Sequence, residues 1–217
     1  MIQSETQKLQ NFFAKGKPFH YKKGETILRG GDFPQGIYYL KKGFAKLSSI
    51  SKEGKELTLV LYKSDEFFPV VWTFFGQRAS IYSFETLTEC DIARMPREVF
   101  LEFLTQNPDV FMDIVKHIIT RFQVALRRMQ YLTFGNASAK LASILLICGK
   151  DYGTEKNNEI EIQIPLTHKD IANLVGVTRE TVSLELKKFE KMRLIGYNSR
   201  YIVIRDEKAL EKEAILS

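Results

Sequence analysis

The stretch from Leu166 to Glu190 constrains this chain most. Thr167 and Asp170 stand three apart, so the hydroxyl can cap a helix while the carboxylate reaches back to the cap's amide. Ile171, Leu174 and Val175 recur at helical spacing, and Gly176 supplies a residue that tolerates positive φ where that short helix must stop. Thr178 is a second cap, and Val182, Leu186 and Phe189 then repeat at i, i+4 and i+7. Small Ala172 fits where two such helices approach. Two capped helices joined across a glycine turn read as a helix-turn-helix.

The second helix has two faces. At about 100° per residue, Arg179, Glu180, Ser183 and Lys187 fall together, opposite Val182, Leu186 and Phe189. An exposed face that opens with Arg-Glu can set a guanidinium on a guanine edge. An ordinary solvated face has the same pattern, and the flanking sequence argues against that reading. From Leu194 to Ile204 a turn of Gly196, Asn198 and Ser199 lies between β-prone residues, as in a hairpin. Upstream, Ile160, Ile162 and Ile164 alternate with polar residues and Pro165 ends the run, so a further strand can join that hairpin. The result is a winged helix-turn-helix.

Val177-Thr178-Arg179-Glu180-Thr181-Val182-Ser183 resembles the recognition-helix signature of the Crp/Fnr family of bacterial transcription regulators. The resemblance runs on through Leu194-Ile195 and the wing, and upstream through Phe134 and Asn136 to Leu141. Most of the chain, from about Tyr21 to Ile204, can be laid on the family plan. That plan implies an α+β chain in three parts: a β-roll, jelly-roll-like sensor domain over 1–106, a dimerisation helix over 107–135, and a winged helix-turn-helix DNA-binding domain over 136–217. It also implies a homodimer on double-stranded DNA, with each recognition helix in one major groove of a palindromic operator, and RNA polymerase as a further partner.

The candidate DNA contacts are Thr178, Arg179, Glu180, Ser183, Leu184 and Lys187 on the recognition helix, Thr167 and His168 at the start of the first helix, and Arg200 in the wing. Leu184 stands where many family members have a second base-reading Arg, and can pack on a thymine methyl. Glu185 replaces a core Ile or Leu and must find a partner or water. Both departures put the usual half-site sequence in doubt. Charge gives modest support. The net charge is +6, yet residues 136–217 hold 13 Lys/Arg against 12 Asp/Glu, so the excess is not concentrated there. Local clustering says more: Lys187, Lys188, Lys191, Arg193, Arg200 and Arg205 face only Glu190 between 187 and 205, a plausible phosphate footprint.

From Phe19 to Met95, short β-prone runs are broken by Gly24, Gly30-Gly31, Gly36, Gly43 and Gly54, as in an antiparallel sandwich or jelly roll. Lys23-Gly24-Glu25-Thr26-Ile27 and Leu40-Lys41-Lys42-Gly43 resemble the family's β-roll. Members that bind cyclic AMP carry a Gly-Glu pair and, about ten residues on, an Arg-Ser/Thr pair. This chain has Pro69-Val70 and Ser80-Ile81 at those places, and Val70 and Ser80 cannot hold a ribose hydroxyl and a phosphate. Cys90 and Cys148 are too few for the family's iron-sulfur cluster. His20 is the one histidine in the β region offered to a haem. No cofactor is predicted, and cyclic AMP, iron-sulfur and haem are not expected. The apolar run Pro69 to Phe75 reads first as sandwich core. The alternative is a pocket for an apolar or small organic effector against the long helix, with Trp72, Arg78, Tyr82 and Phe122 as candidates. A regulator without a ligand is the third reading.

Asn107 can cap the long helix and Pro108 suits its first position. Phe111, Ile118, Ala125 and Leu132 interleave with Val115, Phe122 and Met129, a coiled-coil seam that predicts the dimer interface. Ile114, Ile119 and Leu126 form a second apolar flank. Gly135 interrupts, Asn136 caps a helix to Cys148, Asp151 to Glu159 reads as a polar turn region, and Asp206 to Ser217 as a charged short helix or tail. No phosphate loop, nucleophile elbow or zinc-protease motif occurs. His20, His117 and His168 are dispersed, so neither a metal site nor an enzyme is predicted. The competing class is a signalling or adaptor module whose winged helix meets protein. The N-terminus has no apolar signal region, and Leu141 to Cys148 is too short to span a bilayer, so a cytoplasmic protein is expected.

Overall fold

The computed structural model describes residues 4–76 and 78–214; the ends of the expected N-terminal region and C-terminal tail lie outside them. The chain divides into two compact units, 1–122 and 123–217, and the division falls within one long helix.

The first unit opens with α1 (Glu5–Phe13), capped by Ser4, whose hydroxyl accepts from the Gln7 amide. Strands β1 (Lys17–Tyr21), β2 (Thr26–Leu28), β3 (Ile37–Lys42), β4 (Ala45–Ile50), β5 (Glu56–Tyr62) and β6 (Glu66–Phe68) follow. Then come α2 (Val70–Phe75), β7 (Ser83–Thr86), β8 (Cys90–Met95), α3 (Arg97–Gln106) and α4 (Pro108–Phe134). The strands form two antiparallel sheets, ordered β1-β8-β3-β6 and β2-β7-β4-β5.

β3 explains why its sequence reads as an unbroken apolar run. Tyr38 and Leu40 point into the sandwich with Leu28, Phe68, Phe84 and Ile92, while Ile37 and Tyr39 point the other way. That second face is covered by Leu9 and Phe13 of α1, Phe100 and Leu104 of α3, and Val110 and Ile114 of α4. A strand covered on both faces loses the polar alternation of a half-buried one. At Gly43 (φ 98°) a Cβ would meet the Glu89 carbonyl oxygen at 2.3 Å, so the β3–β4 turn admits only glycine.

The second unit holds the rest of α4, then α5 (Ala137–Tyr152), β9 (Gly153–Lys156), β10 (Glu159–Ile162), α6 (His168–Val175), α7 (Arg179–Lys191), β11 (Ile195–Asn198), β12 (Tyr201–Ile204) and α8 (Glu207–Glu213). The sheet order is β11-β12-β10-β9. The Ile160 strand joins the wing hairpin as expected, with Ile160 opposite Ile204.

Two local expectations need correction. Residues 151–159 are not a turn region: α5 runs on to Tyr152, and β9 and β10 pair across Asn157 and Asn158, both at positive φ. Two consecutive left-handed residues are what a tight hairpin needs, and Asn tolerates them. Pro69 to Phe75 does not lie inside the sandwich: Val70–Phe75 form the helix α2, with Val71 and Phe75 exposed and Val70, Trp72 and Phe74 packed on the core over the other face of β3. Asn107 stands just before α4, where its backbone carbonyl accepts from the Phe111 amide, and its side-chain NH2 also donates to the Phe103 carbonyl 2.9 Å away and so closes α3.

Candidate nucleic-acid interface and effector cavity

α6 begins with a complete capping box. The Thr167 hydroxyl accepts from the Asp170 amide (3.2 Å), and the Asp170 carboxylate accepts from the Thr167 amide (2.9 Å). Gly176 ends the helix in the left-handed region, and the chain turns into α7, where the Thr178 hydroxyl accepts from the Thr181 amide (3.2 Å). Ile171, Val175, Val182, Leu186 and Phe189 are almost fully buried, so the angle between the helices is fixed by packing rather than by the turn alone. His168 Nδ1 lies 2.7 Å from Ser183 Oγ, a polar link from the first residue of α6 to the middle of α7.

These contacts sort the sequence candidates. Thr178, Arg179, Glu180, Leu184 and Lys187 are exposed along one face of α7, and Leu184 is 69% accessible. Arg200 is exposed at the tip of the β11–β12 hairpin, its guanidinium against the Tyr201 ring. Thr167 and Thr178 spend their hydroxyls on caps, and His168 and Ser183 are bonded to each other. The phosphate footprint is smaller than the sequence suggests. Lys188 reaches Ser138 Oγ (3.2 Å) and Glu213 (3.8 Å), and Arg205, just past β12, lies 3.8 Å from Glu159. Glu185 finds no hydrogen bond for its buried oxygen; Lys188 at 3.9 Å supplies charge alone. Asn198 donates to Glu161, tying the wing to β10. A Cβ on Gly153 would sit 2.0 Å from the Gly149 carbonyl oxygen, so the passage from α5 into this sheet also requires glycine.

The first unit contains a cavity of ≈ 620 Å³, a size that suits a small ligand. Leu47, Val60 and Phe84 of the sheet, Trp72 of α2, and Ile114 and Ile118 of α4 supply apolar wall. Trp72, Arg78 and Tyr82 are among the lining residues; Phe122 is not, being 61% exposed, and Arg121 of the preceding position lines the cavity instead. One step along a helix rotates a side chain by about 100°, enough to exchange the two. Val70 and Ser80, the residues at the places of the cyclic-AMP ligands, also line it. Arg97 holds α2 in place, its guanidinium donating to the carbonyls of Thr73 (2.9 Å) and Phe74 (3.3 Å) at the end of the helix. Sequence reasoning missed Arg97, since its role depends on a helix that was not foreseen.

Glu66 is the buried carboxylate of this cavity. It accepts from the Lys63 amide (3.0 Å) and from Arg121, and His117 Nε2 lies 3.4 Å away. Burial alone would raise its pKa, but His117, Arg121 and the Lys63 amide together hold it below the usual carboxylate value. Cys148, in the second unit, has its thiol pushed up to about 12 by burial, so it is not a reactive sulfur. Among the described residues no group of acidic, His and Cys side chains could hold a metal ion, and no helix is long and apolar enough to cross a membrane.

α4 itself corrects the proposed seam in part. Ile118 packs on the first unit's own core and is used within the subunit, whereas Phe111 meets Phe74 edge-on and remains 39% exposed. The large apolar side chains of α4 left exposed are Phe111, Met112, Ile119, Phe122, Leu126, Met129 and Phe134, with half-buried Val115 among them. Among these, Met112, Val115, Ile119, Phe122, Leu126 and Met129 repeat at alternating three- and four-residue spacing, and Val115, Phe122 and Met129 belong to the expected seam.

The two halves match two different family descriptions. Residues 18–107 match the cyclic nucleotide-binding domain, and residues 139–213 match the Crp-like helix-turn-helix domain. The global nitrogen regulator of Synechococcus elongatus is 27% identical over 89% of this chain and 87% of its own length. The chain belongs to the Crp/Fnr family of transcription regulators. The cAMP-activated global transcriptional regulator CRP of Haemophilus influenzae is 28% identical over 85% of this chain and 82% of that protein. A CooA mutant from Carboxydothermus hydrogenoformans shares the fold, with a TM-score of 0.78 at 21% identity over 93% of this chain and 89% of that one. As a member of this family the protein is a DNA-binding transcription regulator, and the relatives are regulators rather than enzymes.

Proposed function

We propose that this regulator acts as a homodimer that reads an inverted-repeat operator with α7 and answers to an effector that is not a cyclic nucleotide. The observation that carries the reading is the division of α7. Val182, Leu186 and Phe189 are buried to within 1% while Arg179, Glu180, Leu184 and Lys187 stand free on the opposite face. Arg179, in the first turn, is suited to the O6 and N7 of one guanine, and Glu180 to an exocyclic amino group beside it. Lys187 and Arg200 suit phosphate. Thr167 and Thr178 serve by fixing the helix starts, and His168 and Ser183 by locking α6 to α7.

The division of labour follows the chain: effector binding in 1–106, dimerisation along 107–135 and DNA binding in 136–217. The exposed stripe Met112, Val115, Ile119, Phe122, Leu126 and Met129 supports a parallel pairing with a second copy, since so much apolar surface on one helix is otherwise left in water. Two such subunits would place their recognition helices about one helical turn of DNA apart, roughly 34 Å. RNA polymerase is the expected third partner. The cavity supports control by an effector, and Val70 and Ser80 supply neither the carboxylate nor the guanidinium that a cyclic nucleotide needs.

Selection of bound sequences from random duplexes tests the reading. The expected outcome is a two-fold symmetric site, bound by a species that sediments as a dimer. Phe122→Asp should sediment as a folded monomer at micromolar concentration and lose the operator, because a carboxylate would be buried against the second copy. Recovery of an asymmetric half-site, or a Phe122→Asp protein that stays dimeric, contradicts the assembly.

A further inference from the structure

The walls of the cavity also bear on what kind of molecule it takes. Its charged lining is nearly balanced and slightly acidic: Lys63, Arg78 and Arg121 stand against Glu5, Asp65, Glu66 and Asp113. The charges of Glu66, Asp65 and Arg121 are already committed. Glu66 is held by Arg121 and the Lys63 amide, and Asp65 accepts from the Tyr39 hydroxyl (2.7 Å) and Gln10 (2.9 Å). Arg121 also donates to the Leu61 carbonyl (3.2 Å) and sits over the Tyr62 ring. Arg78 differs. It lines the same space, is exposed, and among the described residues has no hydrogen bond or ion pair. A ligand could therefore engage Arg78 without first breaking a buried pair.

Two physical constraints then narrow the ligand. A polyanion would face four carboxylates with one uncommitted guanidinium, so a single negative charge suits the site and a phosphate dianion does not. A polar body would lose its water against Leu47, Val60, Trp72, Phe84, Ile114 and Ile118 with few groups to replace it. We infer that the effector is a small monocarboxylate with an apolar body, an aryl-alkyl or medium-chain organic acid, whose carboxylate is bound by Arg78. This rests on the reading above that the cavity is the effector site, and adds the ligand's chemical class and the residue that recognises it. A carboxylate also fits the planar two-donor edge of a guanidinium better than a rounder anion does.

The chain provides its own reporter, because Trp72 is its single tryptophan and lines the cavity. Titrating the full-length protein with 4-phenylbutyrate and decanoate should change Trp72 emission saturably. The matched neutral compounds, 4-phenylbutanol and decanol, should bind at least tenfold more weakly. Arg78→Gln should raise the dissociation constants of the two acids at least tenfold and leave those of the alcohols unchanged. Arg78 is exposed and holds no other group, and an unaltered thermal melt of the variant checks that the fold persists. Alcohols that bind as well as the acids, acids unaffected by Arg78→Gln, or no response to any of the four would overturn the monocarboxylate assignment while leaving the DNA-binding reading standing. Cyclic AMP is the separating arm. Saturable binding of cyclic AMP would sink the non-nucleotide reading itself, whatever the acids do.

Discussion

α7 and the cavity treat their charged groups in opposite ways. On α7, Arg179, Glu180 and Lys187 are exposed and left to whatever meets that face. Around the cavity, the Glu66 and Arg121 charges are tied to each other and to backbone, Glu66 through the Lys63 amide and Arg121 through the Leu61 carbonyl, while the Arg78 guanidinium remains. A surface that reads DNA gains from uncommitted polar edges, since each can pair with a base or a phosphate at little cost to the free protein. A cavity that must stay intact when empty cannot leave charges unpaired in a low-dielectric setting. On the function proposed above, the first unit would answer to a ligand and the second would read sequence, and their charged groups are arranged accordingly.

If α7 owes its geometry to the packing beneath it, the largest effect should come from the buried face. Phe189 is fully buried, so Phe189→Ala should destabilise the second unit by about 3–5 kcal/mol, seen as an early transition in urea unfolding monitored by circular dichroism. Operator binding should fall with it. A loss well under 1 kcal/mol would mean that the turn and caps, rather than the core, hold the helix.

Thr167→Ala removes a cap and leaves the core intact. It should cost about 1 kcal/mol of stability and weaken operator and random duplexes by similar factors, since Thr167 acts here through the start of α6. A selective loss on the operator would instead make Thr167 a direct contact.

The cavity should show its paired charges as pH dependence. The Glu66 carboxyl titrates below its unfolded value, so its contribution to stability is complete above that unfolded value, about 4.3, and is lost as pH falls through the folded one. Melting temperature should therefore drop on acidification below about pH 4.3, and Glu66→Gln should flatten that fall. An unchanged slope would mean that other carboxylates carry the acid sensitivity.

The smallest effect belongs to His20, whose two ring nitrogens meet Asp91 (2.8 Å) and Glu89 (2.9 Å) on the exposed side of β1. Asp91 chiefly, with Glu89, raises its pKa. Its contribution is therefore present below about pH 6.5 and lost as pH rises through the raised value. His20→Gln should remove a shallow fall in melting temperature above neutral pH; any large change would show the trio to be structural.

What could be read ahead of the structure depended on how local the determinants are. Thr167, Asp170, Gly176 and Thr178 act within a few residues of themselves, and the helix-turn-helix was legible from them. Asn157-Asn158 was an equally local signal for the β9–β10 hairpin, and it was passed over inside a polar run. Other features are tertiary. The His168–Ser183 link joins residues whose approach depends on the turn between them. Apolar residues without alternation cannot separate a short helix from a buried strand, which is why Pro69 to Phe75 read as sandwich core. The apolar residues of α4 were visible as a seam and a flank, but the inward set takes Ile118 from the seam and Ile114 from the flank, a choice that depends on where the first unit's core lies. Arg121 instead of Phe122 at the cavity is the same one-residue question.

The central claim is that α7 reads sequence through Arg179, and paired titrations of wild type and Arg179→Ala on the selected operator and on a random duplex, over a series of salt concentrations, test it most directly. Arg179→Ala should cost about 1–3 kcal/mol on the operator, relax preference at one base pair per half-site and leave the salt slope nearly unchanged. Lys187→Ala, run alongside, should weaken both duplexes alike and flatten the slope by about one per subunit. If Arg179→Ala lowers affinity for operator and random duplex by the same factor, Arg179 is a phosphate contact and α7 does not read sequence in the way set out here.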